Sequence, residues 1–251
     1  MYRVEQAEPT EEFKQAWRAA GRHIQNQADS GFNWLRANLN PPIAEHLSFR
    51  IGNQIFFVFV EAAEFDYQVD SKLFESACKQ ANAIPCLMSM SKSLGKWQPQ
   101  QQGWGFINTA SSKVINPLDC VSNELIEMTD WELHDFAIQI VCSALQKKGK
   151  NVFSKQPFRE IDPSIWFEDE LGLHYVVVRA ARHPHTHIAL PKNITDIKNS
   201  CLNISRSGFF APVILANSEN PFDPNCKSNG NYLPLYRGHG IFPTYRGLSR
   251  L

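Results

Sequence analysis

The sequence predicts an α+β fold that is an internal tandem duplication: a helix–β-hairpin–helix–strand–strand unit occurs twice, and the two copies pack as a pseudo-symmetric pair. Stretches of the first half match stretches of the second half in the same order, and each match covers elements of one type. A chain of 251 residues that is 43% hydrophobic can also bury a core in each of two domains. We therefore expect one unit over residues 1–118 and a second over residues 119–251.

Each copy begins with a predicted amphipathic helix. Residues 11–26 repeat apolar side chains at helical spacing, and residues 129–150 do so more strongly. Thr129 and Glu132 have the spacing of a capping box, and lysines followed by Gly149 mark the far end of the second helix. These features predict a helix at the start of each unit.

A β-hairpin follows each helix. Residues 47–65 align with residues 165–183 without gaps, so that the apolar run 57–60 falls on 175–178. Each copy reads as a short strand, a polar turn and a long strand rich in β-branched and aromatic residues. The hairpin is the longest of the matched blocks.

Three shorter blocks complete the repeat. A probable helix places Cys78 on Cys201, and a buried strand and a glycine-containing motif come after it in both halves. The aligned pairs are 74–81 with 197–204, "IPCLMS" (84–89) with "APVILA" (211–216), and "GWGF" (103–106) with "GHGI" (238–241). Four blocks in one order indicate a duplication, with a linker near residues 107–128.

Composition restricts the class of protein. The acidic opening has no apolar segment of a secretory signal, and the longest apolar runs are far shorter than the ~20 residues that span a bilayer. The six cysteines form no CxxC pair, which favours reduced thiols over disulfides or a zinc ribbon. We expect a soluble, cytoplasmic protein without a membrane partner.

Three alternating histidines, His183, His185 and His187, raise the question of a metal site. In an extended chain they would share one face, as in a three-histidine zinc site. Pro184 and Pro191 mark a loop, however, and no fourth ligand or supporting carboxylate lies nearby. We predict that the protein binds no metal and no cofactor.

Charge is unevenly distributed along a chain whose net charge is zero. Residues 119–170 carry a net charge of minus six, and residues 171–251 carry plus six. Either the two segments neutralise each other on the folded surface, or the second presents a basic face to an anionic partner. The stretch 232–251 combines arginines with aromatic rings, as phosphate and stacking contacts would require, although the same residues also suit strands that close the unit. The candidate binding residues are Arg179, Arg182, Tyr236, Arg237, His239, Tyr245 and Arg246.

The order of elements resembles the core of restriction-endonuclease-like nucleases, in which paired carboxylates and a lysine act on a metal-bound water. Glu61 and Glu64 end the long strand of the first copy, but no lysine accompanies them, and Arg179 and Arg182 replace them in the second copy. Those arginines could instead pair with the two glutamates where the copies meet.

These features favour a non-enzymatic binding or accessory protein. Its basic second half would contact an anionic macromolecule, such as a nucleic acid, or an acidic protein surface. The alternative is a degenerate or active nuclease-like, metal-dependent hydrolase that uses Glu61 and Glu64.

Overall fold

The computed structural model describes residues 9–28, 30–39, 45–62, 71–185, 187–219 and 232–251, and it is mixed α+β. These residues form four α-helices and two β-sheets, divided between two compact units. Val4–Ile126 is the N-terminal unit and Glu127–Leu251 the C-terminal unit. No helix in the described ranges is long and apolar enough to cross a membrane.

The boundary between the units follows Ile126 rather than residue 118. Asn53, in the hairpin turn of the N-terminal unit, holds the intervening segment to that unit. Its side-chain amide donates to Ser122 Oγ at 3.1 Å and to the Glu124 carbonyl at 2.8 Å. Long-range hydrogen bonds of this kind leave no trace in local sequence composition, so the sequence predicts a boundary nearer the N-terminus, after residue 118.

The N-terminal unit is a mixed sheet with a helix on each face. Its elements are α1 (Glu11–Gln27), β1 (Phe32–Arg36), β2 (Leu47–Ile51), β3 (Gln54–Ala62), α2 (Ser71–Ala81), β4 (Ile84–Ser93), β5 (Lys96–Pro99), β6 (Phe106–Asn108) and β7 (Lys113–Ile115). The strand order is β1-β2-β3-β4-β6-β7, and β5 also pairs with β4. Among the described strands of this unit, β3 and β4 alone run parallel, because α2 provides the crossover between them.

Alternation along β3 explains why both faces of the sheet are covered. Phe56 and Val58 point to the face on which α1 buries Phe13 and Ala20. The intervening Phe59 points to the opposite face, where its ring meets that of Phe74 on α2 at 5.8 Å between centroids. A strand buried on both faces needs apolar residues at nearly every position, as this one has.

The C-terminal unit is also a mixed sheet with a helix on each face. Its elements are α3 (Asp130–Lys147), β8 (Asn151–Lys155), β9 (Ile165–Asp169), β10 (Gly172–Arg182), α4 (Ile194–Cys201), β11 (Ser207–Asn217), β12 (Ile241–Tyr245) and β13 (Ser249–Arg250). The strand order is β12-β11-β10-β9-β8, and β13 also pairs with β11. Val176 and Val178 face α3, whereas Tyr175 and Val177 face α4.

Local signals placed the helix ends well. The side chain of Thr129 accepts from the Glu132 backbone N–H at 3.3 Å, and the Glu132 carboxylate accepts from the Thr129 N–H at 2.8 Å. The predicted capping box is therefore confirmed. Both predicted hairpins are confirmed as well, while the edge strands β1 and β8, which precede them, were not predicted.

The strand registers of the two units match residue for residue through the first three strands. Leu47 pairs with Val58 as Ile165 pairs with Val176. The edge strand of each unit shifts register at the matching point, between Trp34 and Arg36 in β1 and between Val152 and Ser154 in β8. Each unit thus has the same irregularity in the same place.

A side-chain contact repeats with the backbone. His46 Nδ1 accepts from the Val60 N–H at 2.9 Å, and Ser164 Oγ accepts from the Val178 N–H at 3.2 Å. In both units the residue that makes this contact also donates its own N–H to the strand opposite. A histidine and a serine therefore accept the same backbone hydrogen bond at matching positions.

The later strands match in a register that differs from the sequence alignment. Cys86 pairs with Val58, and Phe209 pairs with the matching Val176, so Cys86 corresponds to Phe209. The sequence alignment of "IPCLMS" with "APVILA" is therefore displaced by four residues. The parallel ladder instead continues the alignment that places Cys78 on Cys201. The final block also shifts, since β5 takes the position of β12 and β6 that of β13. Counting back from β6 and β13 places Gly105 and Phe106 on Gly247 and Leu248, so "GWGF" (103–106) does not correspond to "GHGI".

Candidate functional site

Arg179 and Arg237, which the sequence predicts on a basic face, are buried in ion pairs. Both Nη atoms of Arg179 donate to the Asp162 carboxylate, at 3.0 and 2.5 Å, and one also donates to the carbonyl of Val178. The fully buried Arg237 side chain donates to both oxygens of Glu132 at 2.9–3.1 Å. The expectation that these two side chains face a partner is corrected accordingly: their charges are used inside the unit.

Arg182 is also paired within the C-terminal unit. Its guanidinium donates to the Asp130 carboxylate and to the Met128 carbonyl, and it lies 3.5 Å from Glu127. Arg182 therefore fastens the entry of α3 to the end of β10. The sequence suggested a pairing with Glu61 and Glu64 instead, which stays a prediction because Glu64 lies outside the described residues.

The acidic and basic segments of the sequence meet in these pairs. Every carboxylate partner named above lies in residues 119–170, and every arginine lies in 171–251. The pairs support mutual neutralisation of the two segments, one of the two interpretations of the charge pattern.

The remaining nominated residues lie near the end of the chain. Tyr236 forms a β-bridge with Glu127, and its ring lies 5.6 Å from that of the exposed His239. Tyr245 in β12 packs against the core, and burial raises the pKa of its hydroxyl. Arg246 is exposed and makes no ion pair with the described part of the chain.

The residues of the hydrolase alternative are only partly described. Glu61 lies exposed on β3 and accepts a hydrogen bond from Ser89 at 2.8 Å, while Glu64 lies outside the described residues. Within the described ranges, no three His, Cys, Asp or Glu side chains are placed to hold a metal ion. His183 contacts the Tyr232 ring at 4.9 Å between centroids.

A different set of residues forms a connected polar site, which we call the polar corner: Lys150, Asp169, His174 and Ser207. Asp169 Oδ1 accepts from His174 Nε2 at 2.7 Å, and His174 Nδ1 lies 2.7 Å from Ser207 Oγ. Lys150 Nζ lies 2.9 Å from the second Asp169 oxygen. These side chains come from the residue before β8, from the β9–β10 hairpin and from the first residue of β11, so the sheet brings together residues that are distant in sequence.

The donors and acceptors of the polar corner define the imidazole tautomer. A carboxylate can only accept, so the proton of neutral His174 is on Nε2 and Nδ1 is an acceptor. Ser207 must then donate its hydroxyl proton to His174. Hydrogen bonds from Lys150, from His174 and from the backbone N–H of Leu171 lower the pKa of Asp169, which therefore remains charged.

Aromatic rings shield the histidine. The Phe167 ring stacks on the His174 imidazole at 4.9 Å between centroids, and the Phe209 ring approaches it edge-on at 5.8 Å. His174 is only 5% exposed, whereas Ser207 is half-buried at the rim. Hydrogen bonds at such a site are exchanged less with water than hydrogen bonds at the surface.

Matching positions of the N-terminal unit are apolar. By the strand registers, Asp169, His174 and Ser207 take the places of Ile51, Phe56 and Ile84, and Lys150 takes that of Phe32. All four of those side chains belong to the N-terminal core, where the rings of Phe32, Phe49 and Phe56 stack in series. This topology therefore forms without a polar corner, so the four polar residues are not a requirement of the fold.

Lysines and arginines lie on the chain segments that adjoin the polar corner. Arg250 lies opposite Phe209, so its side chain projects from the sheet face that carries His174. Lys147 and Lys148 end α3 beside Lys150, whose backbone N–H bonds to Leu145. We call Lys147, Lys148, Lys150, Arg246 and Arg250 the cationic end. Apart from Lys150, none of them forms an ion pair with a described residue.

Similarity to a protein family is found in this half of the chain. A family model described as a domain of unknown function (DUF8840) matches residues 131–251, just under half of the sequence. The matched segment lies entirely within the C-terminal unit and contains the polar corner and the cationic end. No curated protein and no solved structure matches the chain.

Proposed function

We propose that the chain is a duplicated binding or accessory protein whose C-terminal unit contacts an acidic protein segment through the cationic end. Its two units descend from one ancestral unit, as their shared strand register and shared edge irregularity support. Packing of the copies as a pseudo-symmetric pair remains a prediction.

The proposal rests on one place where the two units differ: the N-terminal unit is apolar there, and the C-terminal unit is polar and cationic. An aromatic core closes the N-terminal unit where the C-terminal unit carries the polar corner, and Arg246 takes the chain position of Trp104, which is buried. Exposed, unpaired cations keep their long-range attraction for anions, whereas Arg179, Arg182 and Arg237 are already neutralised. The binding surface is therefore smaller than residues 171–251 as a whole.

An acidic protein segment fits this surface better than a nucleic acid. A nucleic acid is best held by a broad cationic strip that follows several phosphates, and its binding depends steeply on salt. Here the unpaired charges are gathered at one end of one helix and one short strand, which matches a few carboxylates on a short segment. We accordingly treat the nucleic acid of the sequence-based prediction as the competing outcome.

The test is binding of a synthetic glutamate-rich peptide and of a single-stranded oligonucleotide at two salt concentrations. For the peptide, Arg246→Glu/Arg250→Glu removes two exposed ion pairs, so Kd should rise about tenfold. Lys192→Glu/Lys198→Glu makes the same change of charge around α4, on the opposite face of the sheet, and should leave Kd nearly unchanged.

Three results would contradict the proposal. The first is no binding of the peptide at low salt. The second is an equal loss in both charge-reversed variants, which would indicate attraction by net charge alone. The third is tighter binding of the oligonucleotide than of the peptide, which would favour the nucleic-acid partner.

A further inference from the structure

The polar corner has the connections of a nucleophile, a base and an orienting carboxylate. Ser207 Oγ lies 2.7 Å from His174 Nδ1, and His174 Nε2 lies 2.7 Å from Asp169 Oδ1, so with a neutral imidazole Ser207 is the donor to Nδ1 and Nε2 the donor to Asp169. Such a chain lets the imidazole receive the hydroxyl proton while the carboxylate stabilises the resulting imidazolium. Here Nδ1 rather than Nε2 faces the serine, and the roles of the three groups depend on the connections and not on which nitrogen is used.

Asp169 is suited to the orienting role. It receives hydrogen bonds from Lys150 at 2.9 Å and from the Leu171 N–H at 2.9 Å besides that from His174, and these lower its pKa. A carboxylate held in this way does not take the proton from the imidazole, and it fixes the tautomer with a free acceptor toward Ser207.

A purely structural role explains the polar corner poorly. Burying polar groups costs free energy unless their hydrogen bonds are made, and the N-terminal unit avoids that cost with Ile51, Phe56 and Ile84. Four polar side chains have replaced four apolar ones, and each makes a hydrogen bond or ion pair within the set. Coordinated replacement of this kind is typical of a site.

We propose that Ser207 is a nucleophile for acyl transfer and that the polar corner hydrolyses carboxylic esters. Ser207 Oγ forms a bond to the acyl carbon while its proton moves to His174 Nδ1. The ester C–O bond then breaks, and the proton passes from Nδ1 to the departing alcohol. Water then forms a bond to the acyl carbon and gives its proton to Nδ1. The bond between the acyl carbon and Ser207 Oγ breaks, the proton passes from Nδ1 to Oγ, and the carboxylic acid is released. Because Arg250 projects from the same sheet face beside Phe209, the preferred ester carries a carboxylate.

The activity goes beyond the binding function and does not depend on it. The full chain is treated with 4-nitrophenyl acetate and with mono-4-nitrophenyl succinate, and the release of nitrophenol is followed together with the mass of the Ser207 peptide. We expect a burst of nitrophenol, an acyl group on Ser207, and faster reaction of the succinate ester. Ser207→Ala should abolish the labelling, and loss of the general base in His174→Phe should lower the rate at least about 100-fold.

Matched variants separate chemistry from folding. His174→Phe gives the C-terminal unit the residue that the N-terminal unit has at Phe56, so the variant is expected to fold, as checked by amide hydrogen exchange. Ser200→Ala and His187→Phe remove a serine and an exposed histidine elsewhere in the same unit and should leave the rate unchanged. Arg250→Met should slow the succinate ester more than the acetate ester.

The proposal is overturned if no residue is acylated above the level of Ser207→Ala, or if the label lies on another residue. It is also overturned if folded His174→Phe reacts as fast as the native chain. The variant Arg246→Glu/Arg250→Glu separates the two functions. It should lose peptide binding while the acetate ester still acylates its Ser207.

Discussion

Breaking the Arg237–Glu132 pair should destabilise the C-terminal unit severely. The Arg237 side chain is fully buried, that of Glu132 is 6% exposed, and at least three charge-assisted hydrogen bonds join them. Arg237→Met removes one partner and leaves a buried carboxylate whose remaining hydrogen bond comes from the Thr129 N–H. Removing one member of a buried pair costs about 3–5 kcal/mol, a large part of the ~5–15 kcal/mol that stabilises a typical domain.

A second substitution tests this reasoning. Arg237→Met/Glu132→Gln removes the buried charge but keeps an oxygen to accept from Thr129, so its free energy of unfolding should lie within about 1–2 kcal/mol of the native value. Arg246→Met makes the same substitution at an exposed arginine and should lower the free energy of unfolding by less than about 0.5 kcal/mol. Urea unfolding followed by circular dichroism gives the free energies, and amide hydrogen exchange in α3 assigns the loss to the C-terminal unit.

The result also decides between two roles for Arg237. If Arg237→Met costs less than about 1 kcal/mol and weakens binding of the glutamate-rich peptide, Arg237 is a binding residue, as the sequence suggested. A large loss of stability that the second substitution repairs makes it a structural residue that fastens residues 232–240 to the start of α3.

Two further predictions concern the N-terminal unit. Burial lowers the pKa of His46 to about 3, so below its ordinary value of 6.5 the unfolded chain binds a proton that the folded chain does not, and this stability is lost as pH falls from 6.5 toward 3. Between pH 7 and pH 5, His46 should therefore lower the free energy of unfolding of the unit by about 2 kcal/mol. His46→Ser should abolish this loss, as measured by hydrogen exchange of the β3 amides. The same pH dependence in the native chain and in His46→Ser would contradict the prediction. Leu94 is fully exposed at a φ of 49°, a region that disfavours branched side chains, so Leu94→Asn should raise the midpoint of urea unfolding by the equivalent of about 0.5–1 kcal/mol, and a fall would contradict this.

Elements with strong local signals could be predicted from the sequence. The capping box at Thr129 and Glu132 fixes where α3 begins, and the alternation of β3 and β10 requires long strands with apolar neighbours on both faces. Strands β1 and β8 were missed because each is five residues long and holds an irregularity that interrupts its alternation. Their position is fixed by pairing with β2 and β9, which a local pattern does not report.

Register was harder to predict than element type. Apolar runs such as "IPCLMS" and "APVILA" resemble each other in several frames, because a shift by an even number of residues keeps the same faces buried. The parallel ladder fixes the true frame through the lengths of α2 and α4 and their crossovers. The same ambiguity misplaced "GWGF", whose Gly105 corresponds to Gly247; both have positive φ, at 79° and 100°.

The polar corner was missed although part of its signal lay inside the aligned hairpins. The gapless alignment already placed Asp169 on Ile51 and His174 on Phe56, two exchanges of a buried apolar residue for an ionisable one. Ser207 could not be added from sequence, because its place opposite His174 depends on the β10–β11 register.

Comparison of the two units suggests how this topology can hold a polar site. Fully burying a large apolar side chain contributes about 1.5–3 kcal/mol, so exchanging Phe56, Ile51 and Ile84 for polar residues removes several kcal/mol from the corner of the C-terminal unit. Hydrogen bonds within the polar corner offset only part of this, since each contributes about 1 kcal/mol net. The remaining strands and the α3 face keep the apolar pattern of the N-terminal unit, so the loss is confined to one end of the sheet. If the polar corner were structural, restoring Phe, Ile and Ile at His174, Asp169 and Ser207 together would destabilise the unit; if it is a site held at the expense of stability, the triple substitution would raise the free energy of unfolding while abolishing acylation.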